Sequence, residues 1–142
     1  MILFCDTSAL VKLYIKEDSS DVMRILAESA SAIAVCRIAW AEFMAALARR
    51  SREDPADVEI VDAVRRRLRT DWLRYAIVEV TQPLMELAGE YSDIFALRGY
   101  DSVQLAAART LQESANEELH FACFDTRLRK SAKVLGMTIT SP

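Results

Sequence analysis

Four carboxylates carry most of the chemical potential of this chain: Asp6, Glu42, Asp101 and Asp125. Each interrupts an apolar stretch. Asp6 ends the run MILFC and Asp125 ends LHFACF, while Glu42 is the only charge between Arg37 and Arg49 and Asp101 the only one between Arg98 and Arg109. For Asp6, Asp101 and Asp125 an ordinary role competes, because Asp is a good helix N-cap and each precedes a helical pattern. Glu42 has no such role, since the helical pattern of 38–52 begins ahead of it. Its neighbours three and four positions away are Ile38, Ala39, Ala45 and Ala46, so no helical ion pair is available. An unpaired buried carboxylate is costly, which leaves solvent, a basic partner from elsewhere, or a metal ion. Carboxylates arriving from separate elements suit a hard divalent cation such as Mg²⁺ or Mn²⁺. Two such ions can cleave a phosphodiester without a His, Cys or Ser nucleophile, and the chain offers no convincing triad. Cys5, Cys36 and Cys123 are an odd set in apolar stretches, which reads as buried thiols. With no CxxC or Cys/His cluster a zinc site is not expected, and the single histidine, His120, has no obvious partner.

The elements that must position these acids follow from the apolar pattern. Strands are expected at 1–5, 32–36, 75–80 and 119–124, with a last short one at 137–140. Helices are expected at 8–16, 19–29 (capped by Ser19 or Ser20), 38–52, about 56–73 after Pro55, from a Thr81 cap to near Gly99, 101–115, and 126–135 up to Gly136. Short apolar strands alternating with helices imply an α/β fold with a parallel sheet and helices on both faces. In such a sheet ligands bind beyond the carboxyl ends of the strands, at the switch point. Asp6 and Asp125 stand at two such ends.

At 142 residues, with no linker, repeat or low-complexity segment, one domain spanning 1–142 is expected. No apolar run reaches bilayer length and no basic segment precedes the first apolar run, so a soluble cytoplasmic protein without membrane contact is expected. The net charge of −3 does not by itself suggest a nucleic-acid binder. Arginines nevertheless crowd 49–52 and 65–74, interleaved with acids, which reads either as a salt-bridged helix pair or as a phosphate-contacting rim. The stripe Trp40, Phe43, Met44 and Leu47 reads as core, and would otherwise serve as a dimer patch.

Together, "DTSALVKLY", "AEFMAALARR", "LRGYDSVQLAAA" and "FDTRLRKSAKVLG" resemble, in this order and over essentially the whole chain, the PIN-domain ribonucleases, specifically VapC-type toxins. The resemblance implies a three-layer α/β/α fold with strand order 3-2-1-4-5. It implies a Mg²⁺- or Mn²⁺-dependent endoribonuclease, with Asp6 and Asp101 as main ligands, Glu42 assisting and Asp125 completing the site. Ser8 matches the hydroxyl residue that supports the first acid, and Thr7 and Thr126 are further hydrogen-bonding candidates. Empty of metal, the cluster should repel itself and raise some of its pKa values. RNA would then need basic contacts, for which Lys12, Lys16, Arg127 and Arg129 join the arginine-rich region as candidates. The family further implies a small DNA-binding antitoxin of the VapB type and a homodimer. Ser102 and Gln104 depart from the Ala and His common in the family, at positions not expected to ligate metal but able to alter substrate contacts or packing. Two other readings stand beside this one: a PIN-like domain that binds RNA or protein without cutting, and a phosphatase or phospho-acceptor on a similar sheet. The phosphatase reading lacks a second Asp two residues after the first, where this chain has Ser8.

Overall fold

The computed structural model describes residues 1–140. Five parallel strands form one sheet: β1 (Ile2–Cys5), β2 (Ala32–Cys36), β3 (Ala76–Val78), β4 (Leu119–Ala122) and β5 (Thr138–Ile139). Their order is β3-β2-β1-β4-β5, as the family resemblance implies, with Cys5 opposite Ala122 across the β1–β4 pair. Alternation along the strands splits the core in two. Phe4, Ala34, Cys36, Phe121 and Cys123 face one cluster, and Leu3, Cys5, Val35 and Ala122 face the other.

The first cluster is covered by α5 (Gln82–Phe95), α6 (Gly99–Ser114) and α7 (Thr126–Val134). The second is covered by α1 (Thr7–Lys12), α2 (Ser20–Ser29), α3 (Ala39–Glu53) and α4 (Val58–Trp72), the last two joined through a 3-10 turn at Pro55–Asp57. The central strands are therefore buried on both faces, which is why they read as continuous apolar runs. Phe43 and Leu47 lie in the core, with Trp40 and Met44 partly buried against it. All three cysteines are buried and unpaired.

Several boundaries differ from the sequence reading. The first helix ends at Lys12, not residue 16, because the chain turns so that Tyr14 enters the core and its hydroxyl donates to Asp71 Oδ2 at 2.7 Å. Tertiary packing here overrides helix propensity. Neither Ser19 nor Ser20 caps α2 through its side chain: Ser19 has a left-handed φ of 70°, and Ser20 Oγ accepts from Glu17 N and donates to Ile15 O. Thr81 does cap α5, accepting from Leu84 N. That helix ends at Ala96 in the left-handed region, φ 54°, and Gly99 instead opens α6. Gly136, at φ +81°, ends α7 as expected. β3 and β4 are shorter than expected, ending at Val78 and Ala122 where pairing stops. His120 has a partner after all, with Nε2 3.1 Å from Thr140 Oγ1.

Half of the eight arginines in the arginine-rich stretches 49–52 and 65–74 have partners within the protein. Arg50 pairs with Asp57 at 3.0 Å and Arg65 with Asp62 at 2.7 Å, while Arg67 and Arg69 lie over the rings of Tyr14 and Trp40.

Candidate active site

The carboxyl ends of β1 and β4 lie side by side, and the residues that follow them begin the site. Asp6 caps α1, its Oδ1 accepting from Ala9 N at 2.9 Å and from Ser8 Oγ at 2.8 Å. Asp125 caps α7, its Oδ1 accepting from Leu128 N at 2.9 Å. Both capping roles are therefore real, but they use one oxygen of each carboxylate. Asp101 is not a cap. It lies in the first turn of α6, two residues past Gly99, and its side chain makes no hydrogen bond among the described residues. Glu42 also falls in a first turn, because α3 starts at Ala39; the position is favourable for an anion at the helix N-terminus. It is half-buried, and its Oε1 accepts from Thr7 Oγ1 at 2.7 Å and Gln104 Nε2 at 2.9 Å.

All four acids line one cavity of about 640 Å³, together with Thr7, Ser8, Arg49, Arg98, Gln104 and a fifth carboxylate, Glu17, which pairs with Lys12. A second cavity of about 570 Å³ opens alongside. It shares Arg98, Asp101 and Asp125 with the first and adds Thr126, Arg127 and Lys130. The acids influence one another electrostatically. Burial pushes the Asp6 carboxyl up to about 7; the bonds from Ala9 and Ser8 oppose this, and the charges of Asp101 and Glu42 add to it. Burial also raises Asp101, as do Asp125 and Glu42, against the pull of Arg98. Repulsion within the cluster is thus present, but desolvation is the larger cause.

Among the described residues no three His, Cys, Asp or Glu side chains are already drawn into a metal-ligand cluster. The donor set nevertheless fits a hard divalent cation: oxygen donors only, on four elements around one cavity, with oxygens left over after capping.

The supporting residues divide. Ser8 and Thr7 each bond an acid, whereas Thr126 sits in the second cavity and bonds none among the described residues. Lys12 pairs with Glu17 at 3.0 Å and lies over the Phe124 ring. Arg127 borders the second cavity and donates to Ala96 O at 2.9 Å; Arg129 lines neither cavity. Arg98 and Lys130 are site residues that sequence reasoning did not single out, and Gln104, noted there only as a departure able to alter substrate contacts or packing, bonds Glu42. Arg98, Asp101 and Gln104 recur every three residues, a spacing that places them along one side of a helix and that held the signal.

A family model described as PIN domain matches residues 3–134. Ribonuclease VapC45 and Ribonuclease VapC49 of Mycobacterium tuberculosis are each 32% identical over 139 residues, covering 97% of this chain and 94% of theirs. Among solved structures, FitAcB from Neisseria gonorrhoeae superposes with a TM-score of 0.65 at 18% identity, covering 99% of this chain and 97% of that one. VapBC2 from Rickettsia felis, bound to a DNA fragment from its promoter, superposes at 0.63 with 16% identity, covering 99% and 98%.

Proposed function

The chain belongs to the PIN-domain family, and from that premise we propose that it is a divalent-metal-dependent endoribonuclease acting as the toxin of a toxin–antitoxin pair. Curated relatives at about a third identity are ribonucleases by name. The observation that carries the reading in this chain is the convergence of Asp6, Glu42, Asp101 and Asp125 from four separate elements on one cavity. Asp6 and Asp101 would be the main ligands of Mg²⁺ or Mn²⁺, with Glu42 and Asp125 completing the set. A bound cation of this kind supplies Lewis-acid stabilisation of the charge that develops on the phosphoryl group.

The chain's own residues do the rest. Ser8 and Ala9 N fix one oxygen of Asp6, and Thr7 and Gln104 fix one of Glu42. Arg98 stands beside Asp101 where a phosphate must enter, offering a planar pair of donors to its oxygens. Arg127 and Lys130 extend that positive flank along the second cavity and Arg49 lines the first, so an RNA backbone has basic contacts beside an acidic centre. Lys12, paired with Glu17, and Arg129 line neither cavity and are weaker candidates for that path.

The structural neighbours include a VapBC complex, which supports a small VapB-type antitoxin as partner here. Among the described residues no helix is long and apolar enough to cross a membrane, and we place the toxin in the cytoplasm. A homodimer is the family expectation, and gel filtration with light scattering tests it.

Asp101→Asn tests the central claim, because this side chain holds no cap whose loss would unfold the protein. The variant should keep its circular dichroism spectrum and lose at least about a hundredfold in Mn²⁺-dependent RNA cleavage, the scale expected when a principal charge of a metal site is removed. Undiminished cleavage by the folded variant would sink the assignment.

A further inference from the structure

Gln104 is 2% exposed, on the inner side of α6. Its Nε2 donates to Glu42 Oε1 at 2.9 Å and to Thr7 Oγ1 at 3.3 Å, and Thr7 Oγ1 donates to the same Glu42 oxygen at 2.7 Å. Three side chains from α1, α3 and α6 thus close a triangle on one carboxylate oxygen. Glu42 Oε2 receives none of these bonds. The amide orientation follows from chemistry, since an ionised carboxylate only accepts and the NH₂ end must face it.

That orientation has a cost. Gln104 Oε1 is left buried with no hydrogen-bond partner among the described residues. A buried orphan carbonyl is destabilising, and an apolar side chain of similar length would avoid it. Packing alone therefore gives no reason for an amide at this position. The reason lies in what its nitrogen holds.

We propose that Gln104 is a positioning residue for Glu42. Its amide and the Thr7 hydroxyl pin Oε1, so that Oε2 is held toward the cavity as a ready oxygen for a divalent cation, and the fold carries an orphan carbonyl in consequence. The proposal rests on reading the four carboxylates as metal ligands, but the clamp itself is made only of this chain's own side chains.

Three forms separate the possibilities: wild type, Gln104→Met, and Gln104→His, in which an imidazole N–H has comparable reach. Methionine removes both the donor and the orphan acceptor. It should change the metal-free melting temperature little, because the lost amide bonds and the removed orphan acceptor offset each other. It should also move the Glu42 carboxyl ¹³C resonance toward that of exposed glutamates and weaken Mn²⁺ binding by roughly tenfold in calorimetry. Histidine should restore both the resonance and the affinity. The idea fails if methionine leaves resonance and affinity unchanged. It fails equally if methionine lowers melting temperature and affinity together without rescue by histidine, the signature of an ordinary core residue. If wild type binds no Mn²⁺ at millimolar concentration, the metal reading falls, and the metal-free carboxyl resonance still decides the clamp.

Discussion

Asp6 holds two duties that pull its proton in opposite directions. Capping α1 favours the carboxylate, yet burial beneath the switch point favours the acid, and burial wins. A folded-state pKa of about 7, above the ordinary 3.8, means that the native state holds this proton more tightly than the unfolded chain. The contribution to stability is therefore fully present below about pH 4 and is lost as pH rises toward 7. In EDTA, urea unfolding should show Asp6→Asn losing much of the decline in stability that wild type shows between pH 4 and 7. His120, whose pKa is lowered by burial, acts in the other direction, but it is common to both forms and cancels in the comparison. An equal decline in both proteins would show that Asp6 does not carry the effect. The four acids were legible in sequence because a charge inside an apolar run demands an explanation. Gln104 was legible only as a departure from the residue common in the family, with substrate contacts or packing left open, because its bond to Glu42 depends on which way α6 is turned.

That turn is set by the short connection between α5 and α6. The sequence pattern puts the helix boundary at Gly99 and leaves Asp101 as a candidate cap. The observed break is earlier: Ala96 takes the left-handed conformation, Leu97 is buried as an anchor, and α6 is already under way at Gly99. Glycine rules mislead here because Ala96 adopts a conformation that glycine usually supplies, while Gly99 has no need of it. The Ala96 carbonyl accepts an exposed bond from Arg127 beside the second cavity. Ala96→Gly should relieve the strain of the left-handed turn, raising unfolding free energy by up to about 1 kcal/mol once the extra freedom of glycine in the unfolded chain is offset. Chemical denaturation measures this directly. A destabilised variant would mean that the left-handed turn is not strained, and that Leu97 alone fixes the phase of α6. The Thr81 cap and the Gly136 terminator, by contrast, were readable because each residue does its commonest job.

At the scale of the whole molecule, alternating strands and helices made the layered parallel sheet legible. The strand order came from family resemblance, since right-handed crossovers permit several orders for the same pattern. The observed order sets β1 at the centre with β2 and β4 beside it, which is why residues separated by over a hundred positions in sequence share one cavity. The same arrangement sorts charge. The protein is net acidic, and several of its central arginines are spent on Asp57, Asp62, Tyr14 and Trp40, yet Arg98, Arg127 and Lys130 gather beside the carboxylates. RNA binding should therefore be driven by a local flank and not by overall charge. The measurement is RNA affinity against salt concentration in the Asp101→Asn background with EDTA present, where cleavage should be slow enough to leave the strand intact. Replacing Arg127 and Lys130 with Ala should make the slope of log K against log salt shallower by about 1.4, near 0.7 for each phosphate of a single strand that is no longer neutralised. Folding should be nearly unaffected, because both side chains are exposed and only the Arg127–Ala96 bond is removed. An unchanged slope would show that neither side chain neutralises a phosphate and would remove this flank from the RNA path.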